Sequence, residues 1–196
     1  MNNKKIIGLS GTNGSGKDTV GHILAEKYGY LFVSVTDLLR AEATKRGQPV
    51  EREVLRTISA EWRRESGLGV LCERAIAEYD KVKDQYQGVV MASLRNPGEA
   101  DAVHEHGGVV IWVDADPRTR YNRIQANALT RGRAEEDNKT FEQFLVEEQA
   151  EMHSSGDEAT LDMAGVKAKA DVLLENDGDN LVVLQENIEQ ALGLNP

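Results

Sequence analysis

The chain has 196 residues, 40% of them hydrophobic, 29% charged and 5% aromatic, with a formal net charge of −10. This length suits one compact domain with a real core, and the negative charge excludes a general binder of nucleic-acid polymers or anionic membranes, which needs a positive face. A single cysteine, Cys72, excludes a disulfide framework and a multi-cysteine zinc site.

No apolar run approaches the roughly 20 residues of a membrane span. Met1 to Lys5 lead into a strand-like segment without a leader pattern, so a cytoplasmic location is expected. The charge is uneven: residues 1–133 hold 20 Lys/Arg, including all 13 arginines, against 17 Asp/Glu, while residues 134–196 hold 3 Lys against 16 acids. The acidic last third reads as a solvated outer face.

Short Val- and Ile-rich runs alternate with longer segments of helical period, the pattern of a parallel α/β sheet. A strand is predicted over Lys5 to Ser10, a helix over Lys17 to Tyr28 and a second strand over Tyr30 to Val35. Helices follow at Asp37 to Arg46, Glu51 to Ser66 and Val70 to Val82. The third strand spans Gly88 to Ala92, the next helix Gly98 to His106 and the fourth strand Val109 to Val113. A helix from Pro117 to Leu129 takes Asp116 as its cap. Polar residues 130–139 read as a loop, followed by a helix over Thr140 to Met152, a fifth strand over Asp171 to Leu174 and a last helix over Leu181 to Leu192. No repeat or linker divides the chain, so residues 1–196 are expected to form one domain.

Gly11 to Thr19 reads GTNGSGKDT between a strand and a helix, which is the phosphate-loop pattern G-x-x-x-x-G-K in its proper context. Gly11, Gly14 and Gly16 free the backbone to curl, so the amides of Thr12, Asn13, Ser15 and their neighbours can surround a phosphate at the positive end of the helix. Lys17 adds a full charge toward the β and γ phosphates. Asp18 stands where a Ser or Thr hydroxyl usually meets magnesium. Either Asp18 or Thr19 then serves the metal, or Asp18 is simply an acid favoured by the helix dipole.

Further segments carry a resemblance: VSVTDLLRAEA (Val33 to Ala43), VVMASLRNPGEA (Val89 to Ala100), VDADPRTRYNRI (Val113 to Ile124) and ADVLLEND (Ala170 to Asp177). With the GKDT loop they resemble the P-loop nucleoside monophosphate kinase group, adenylate kinase-like, with features of phage-type deoxynucleoside monophosphate kinases and dephospho-coenzyme A kinases. The resemblance covers nearly the whole chain. It implies a P-loop NTPase three-layer α/β sandwich with a five-stranded parallel sheet in the order 2-3-1-4-5, a helical acceptor-binding region over residues 37–87 and a short lid over 124–139. It also implies ATP and Mg2+, Arg40 and Arg95 on the acceptor phosphate, and Arg120, Arg123, Arg131 and Arg133 as lid arginines. Asn176 to Gly178 would lie at the ATP base.

Phosphoryl transfer between two anions needs cations from several segments converging on the strand ends. The expected catalytic set is therefore Lys17, Arg40, Arg95 and Arg123, with Gly11 to Thr19 and Arg120 on the nucleotide. The third strand ends Met91-Ala92-Ser93 without the acid that these kinases use for magnesium, which leaves Asp18, Thr19 and Asp37 as metal candidates, ahead of Asp114 and Asp116. The helix over Thr140 to Met152 has no arginine, so the lid arginines carry that work. Arg56, Arg63 and Arg74 read as solvated surface residues, Trp62 as core, Cys72 as a half-buried helix position and all four histidines as surface.

The expected function is transfer of the γ-phosphate of ATP to a nucleoside or deoxynucleoside monophosphate by a monomer or small homo-oligomer. A dephospho-coenzyme A kinase is the alternative, and a regulatory ATP-binding or ATP-hydrolysing protein without an acceptor is the second.

Overall fold

The structure is a computed structural model that describes residues 5–127, 139–153 and 156–194. Five parallel strands, β1 (Ile6–Ser10), β2 (Tyr30–Ser34), β3 (Gly88–Ala92), β4 (Val109–Asp114) and β5 (Val172–Glu175), lie in the order β2-β3-β1-β4-β5. That order and the α/β class are those expected. Nine α-helices are described: α1 (Lys17–Tyr28), α2 (Val35–Lys45), α3 (Arg52–Ser66), α4 (Val70–Asp80), α5 (Pro97–Glu105), α6 (Pro117–Ala126), α7 (Phe141–Met152), α8 (Met163–Ala168) and α9 (Leu181–Leu192). The predicted helix end at Leu129 and most of the proposed lid fall outside the described residues.

The central strands are apolar on both faces because helices cover both. Alternation along the pleat divides them. Val90, Ala92, Ile111 and Val113 pack with α1 and α9, whereas Val89, Met91, Val110 and Trp112 pack with α4, α5 and α8. A third cluster, Val35, Leu39, Ile58, Trp62 and Leu71 among its members, joins α2, α3 and α4 beyond the sheet. Trp62 is thus core, with the Arg74 guanidinium 3.8 Å over its ring.

Several element ends shift by one or two residues from the sequence reading, and three differences are specific. α2 begins at Val35, two residues early, and takes that residue from the predicted end of β2. β5 begins one residue late, at Val172, and the Asp171 carboxylate before it accepts the Val110 N–H at 2.7 Å. α8 was not anticipated; Asp162 caps it by accepting the Gly165 N–H at 2.8 Å. The one predicted cap, Asp116, is in place, and a second that was not anticipated lies at a site that matters below. Asp116 accepts the Arg118 and Thr119 N–H groups at the start of α6, and Asn96 and Glu99 form a capping box on α5.

Candidate active site

All strands are parallel, so every strand exit lies on one edge of the sheet, where ligands of such folds bind. A cleft of about 1390 Å3 opens there. The phosphate loop forms one wall. Gly11, Gly14 and Gly16 have φ of 144°, 81° and 92°, in the left-handed range that suits glycine. Neighbours also forbid a larger residue: a Cβ on Gly11 would come 2.2 Å from the Val113 carbonyl oxygen, one on Gly14 2.7 Å from that of Arg120, and one on Gly16 2.3 Å from Asn176 Nδ2. Asn176 uses that nitrogen to donate to the Ser15 carbonyl at 2.8 Å, so the β5 exit braces the loop.

The hydroxyls of Thr12 and Ser15 are buried without a hydrogen-bond partner. Such orphans are costly inside a protein, and in a glycine-rich curl at the start of a twelve-residue helix they fit a phosphate ligand. Lys17 is buried and faces the cleft, with exposed Asp18 and Thr19 beside it.

The exits of β1 and β3 are tied together. Ser10 Oγ donates to the Leu94 carbonyl at 2.7 Å, and the Ser93 and Leu94 N–H groups donate to the Leu9 carbonyl. Ser93 lines the cleft with φ of 76°, a costly conformation for a non-glycine residue, at the position where an acid was missed in the sequence. Arg95 follows at once. Its N–H donates to Glu99 at 2.7 Å, and its side chain reaches the cleft.

The four residues expected to act together, Lys17, Arg40, Arg95 and Arg123, do line one cleft. Arg123 bonds the Asn176 and Gly178 carbonyls at 2.7 Å each, so it also secures the β5 exit. Arg120 does not reach the cleft. Its guanidinium is buried against the Ala115 carbonyl (2.8 Å) and Glu148 (2.9 Å), and only its backbone touches the phosphate loop. Asp37 is exposed and pairs at 2.7 Å with Arg40, which lines the cleft. Among the described residues no group of three or more His, Cys, Asp or Glu could hold a metal. Arg131 and Arg133 lie outside the described residues.

Arg56 and Arg63 correct the surface expectation, and Arg52 was missed. All three line the cleft from one face of α3, together with Ser59. The spacing 52, 56, 59, 63 follows the helical repeat and was visible in the sequence. Arg63 is almost wholly buried: it bonds Glu99 at 2.6 Å and the Ala159 carbonyl at 2.9 Å. Glu151, also unanticipated, comes from the last turn of α7. It meets Arg56 at 3.0 Å, Arg95 at 3.2 Å and Arg52 at 3.6 Å. Burial works to raise its pKa, but the Arg95, Arg52 and Arg56 charges outweigh that and hold it below the usual carboxylate range.

Most described acids of the last third are exposed, as a solvated outer face requires. Glu148 and Glu151 depart from it and turn inward, to Arg120 and to the guanidiniums of Arg52, Arg56 and Arg95, whereas Asp157 meets Arg64 on the surface. Cys72 is fully buried rather than half-buried, and burial pushes its thiol well above the usual range, so it is no nucleophile.

Residues 10–142 match the AAA domain family. Over 95% of its length the chain is 30% identical to a UPF0200 protein of Pyrobaculum aerophilum, 96% of which is covered. A shikimate kinase of Gloeobacter violaceus is 37% identical over 127 residues, 63% of each chain. Among solved structures, a shikimate kinase of Acinetobacter baumannii in complex with shikimate superposes with a TM-score of 0.55 at 16% identity, covering 97% of this chain and 94% of that one, a likeness of fold.

Proposed function

The chain belongs to the UPF0200 family and to the AAA domain family, with a P-loop kinase-like fold, and on that premise we propose that it is an ATP-dependent phosphotransferase acting on a nucleoside or deoxynucleoside monophosphate. The observation that carries this reading is one cleft lined by both Lys17 and Arg95, which joins a phosphate loop to a second set of phosphate-binding cations.

Mg·ATP, when bound, supplies the γ-phosphoryl group and the divalent charge beside it. The loop amides and the N-terminus of α1 receive its phosphates, with Lys17 adding charge where negative charge grows during transfer. Asp18 and Thr19 are the side-chain oxygens at hand for the metal, which in such sites keeps several waters. Arg123 closes the nucleotide side. Arg40, Arg95, Arg52 and Arg56 hold the acceptor's phosphate and aim its reacting oxygen, a contribution of positioning rather than of covalent chemistry. On this reading residues 37–87, which hold most of α2 and the whole of α3 and α4, are the acceptor-binding region and residues 124–139 are the lid.

A second reading is a small hydroxy-carboxylate acceptor. The arginines of the acceptor side already hold a carboxylate, that of Glu151, and a shikimate kinase is among the relatives. A dephospho-coenzyme A kinase is a third candidate. A coupled assay of ADP release with ATP and each NMP, each dNMP, dephospho-coenzyme A and shikimate separates these readings. We expect turnover with a nucleoside monophosphate. ATP binding without turnover of any acceptor would leave a regulatory ATP-binding protein and end the kinase reading.

A further inference from the structure

Glu151 stands in an unfavourable place for an acid. It is in the last turn of α7, where the helix dipole disfavours negative charge. No basic residue lies in that turn, so nothing within the helix calls for it. What it meets is on other elements. Its Oε1 faces Arg56 and Arg52 of α3, and its Oε2 faces Arg95 beyond β3. The carboxylate thus spans the two segments that border the acceptor side, as the oxygens of a phosphate or carboxylate ligand would.

The pairing is also open on one side. Glu151 has 14% of its side chain exposed and its three partners 30–37%, and all four line the cleft. The neighbouring Arg63–Glu99 pair differs: at 2% and 0% exposure it is sealed within the protein and cannot exchange its partner for a ligand. The Arg63–Glu99 pair is thus structural, whereas the Glu151 cluster faces the space that a substrate would fill.

We propose that Glu151 is the protein's own occupant of the acceptor's anion subsite. It gathers Arg52, Arg56 and Arg95 while the acceptor is absent, and it gives way when an acceptor phosphate or carboxylate claims the same guanidiniums. The inference rests on the acceptor-side reading of Arg95. Two consequences follow from charge alone. Neutralising the cluster in the empty protein lowers the affinity for any small anion there. Displacing Glu151 then loosens the end of α7 from α3, so acceptor binding is reported along α7.

The test uses the full chain and inorganic phosphate as probe, with the phosphate loop saturated by a non-hydrolysable ATP analogue. We expect Glu151→Gln to bind phosphate about tenfold more tightly than the wild type, a gain that disappears in the Arg95→Ala/Glu151→Gln double variant. With an accepted substrate, KM should fall in Glu151→Gln while kcat is kept. Glu151→Asp, which keeps the charge but shortens its reach, should show part of the gain and serves if the Gln variant fails to fold. Unchanged or weaker phosphate binding in the foldable variant would overturn the proposal, as would a gain that survives loss of Arg95. Titration of the ATP analogue alone is the separate control. Its failure would count against the phosphotransferase reading, whereas the Arg95-dependent gain tests Glu151 by itself.

Discussion

Lys17 and Arg95 leave neighbouring strands of the sheet and face one cleft, yet the proposed roles give them different partners. Lys17→Ala should lower turnover by roughly 100- to 1000-fold or more, the loss seen when one charge-stabilising donor is removed. Arg95→Ala should raise the acceptor KM by a similar factor while the affinity for an ATP analogue, measured by titration, changes little. Equal losses of both would place Arg95 on the nucleotide. Gly16→Ala tests the loop itself. The φ of 92° and the approach of Asn176 Nδ2 to 2.3 Å give strain of about 1–3 kcal/mol, so we expect a lower Tm together with loss of ATP binding. The loop was legible in the sequence because nine consecutive residues carry it. Ser93 and Glu151 were not: a positive φ at serine leaves no trace in composition, and Glu151 acquires its partners from residues 56 to 99 positions away along the chain.

At the scale of elements, the phosphate loop and the β3 exit are joined by Ser10, and the β3 exit is joined to α3 by Glu99. One Glu99 oxygen accepts from the Arg95 and Asn96 N–H groups, and the other binds Arg63. The capping half of that arrangement was readable from the Asn96 to Glu99 spacing; the Arg63 half was not, because α3 and α5 are separated by the whole of α4 and β3. Removing one member of a buried ion pair leaves the other uncompensated, at about 3–5 kcal/mol. Glu99→Gln should therefore lower Tm strongly, and at temperatures where it stays folded the acceptor KM should rise more than the ATP KM, because the loop carrying Arg95 loses its anchor. Equal changes in both would make Glu99 a stability residue alone. The central strands β3 and β4 were plain, since short runs buried on both faces read as nearly continuous apolar residues rich in Val. α8 has only six residues, too few for a helical period to emerge from its sequence.

The net charge of −10 belongs to a molecule in which two sequence regions of opposite balance fold against each other. Arginines gathered before residue 134 meet acids gathered after it, at Arg120 with Glu148, at Arg64 with Asp157, and at the α3 and Arg95 cluster with Glu151. The fold converts a charge asymmetry along the chain into local pairing and leaves an excess of cations at the cleft, and this is how an acidic protein can offer sites for two anions. The pairing also fixes a pH dependence. Burial raises the pKa of Glu151 and of Asp114, but arginines in the first case, and Lys167 with Trp112 in the second, hold both below the usual carboxylate value. A carboxylate with a lower pKa folded than unfolded stabilises the fold fully above its unfolded pKa, near 4, and loses that contribution as pH falls through its folded value. Tm should accordingly be flat from pH 7 to about 5 and drop below about 4.5. Glu151→Gln removes one titrating group from that transition, so its Tm should start lower at pH 7 and fall less steeply than the wild type between pH 5 and 3. Parallel curves for the two proteins would mean that Glu151 titrates alike in the folded and unfolded chains, and the arginine cluster would then not hold it as a charge.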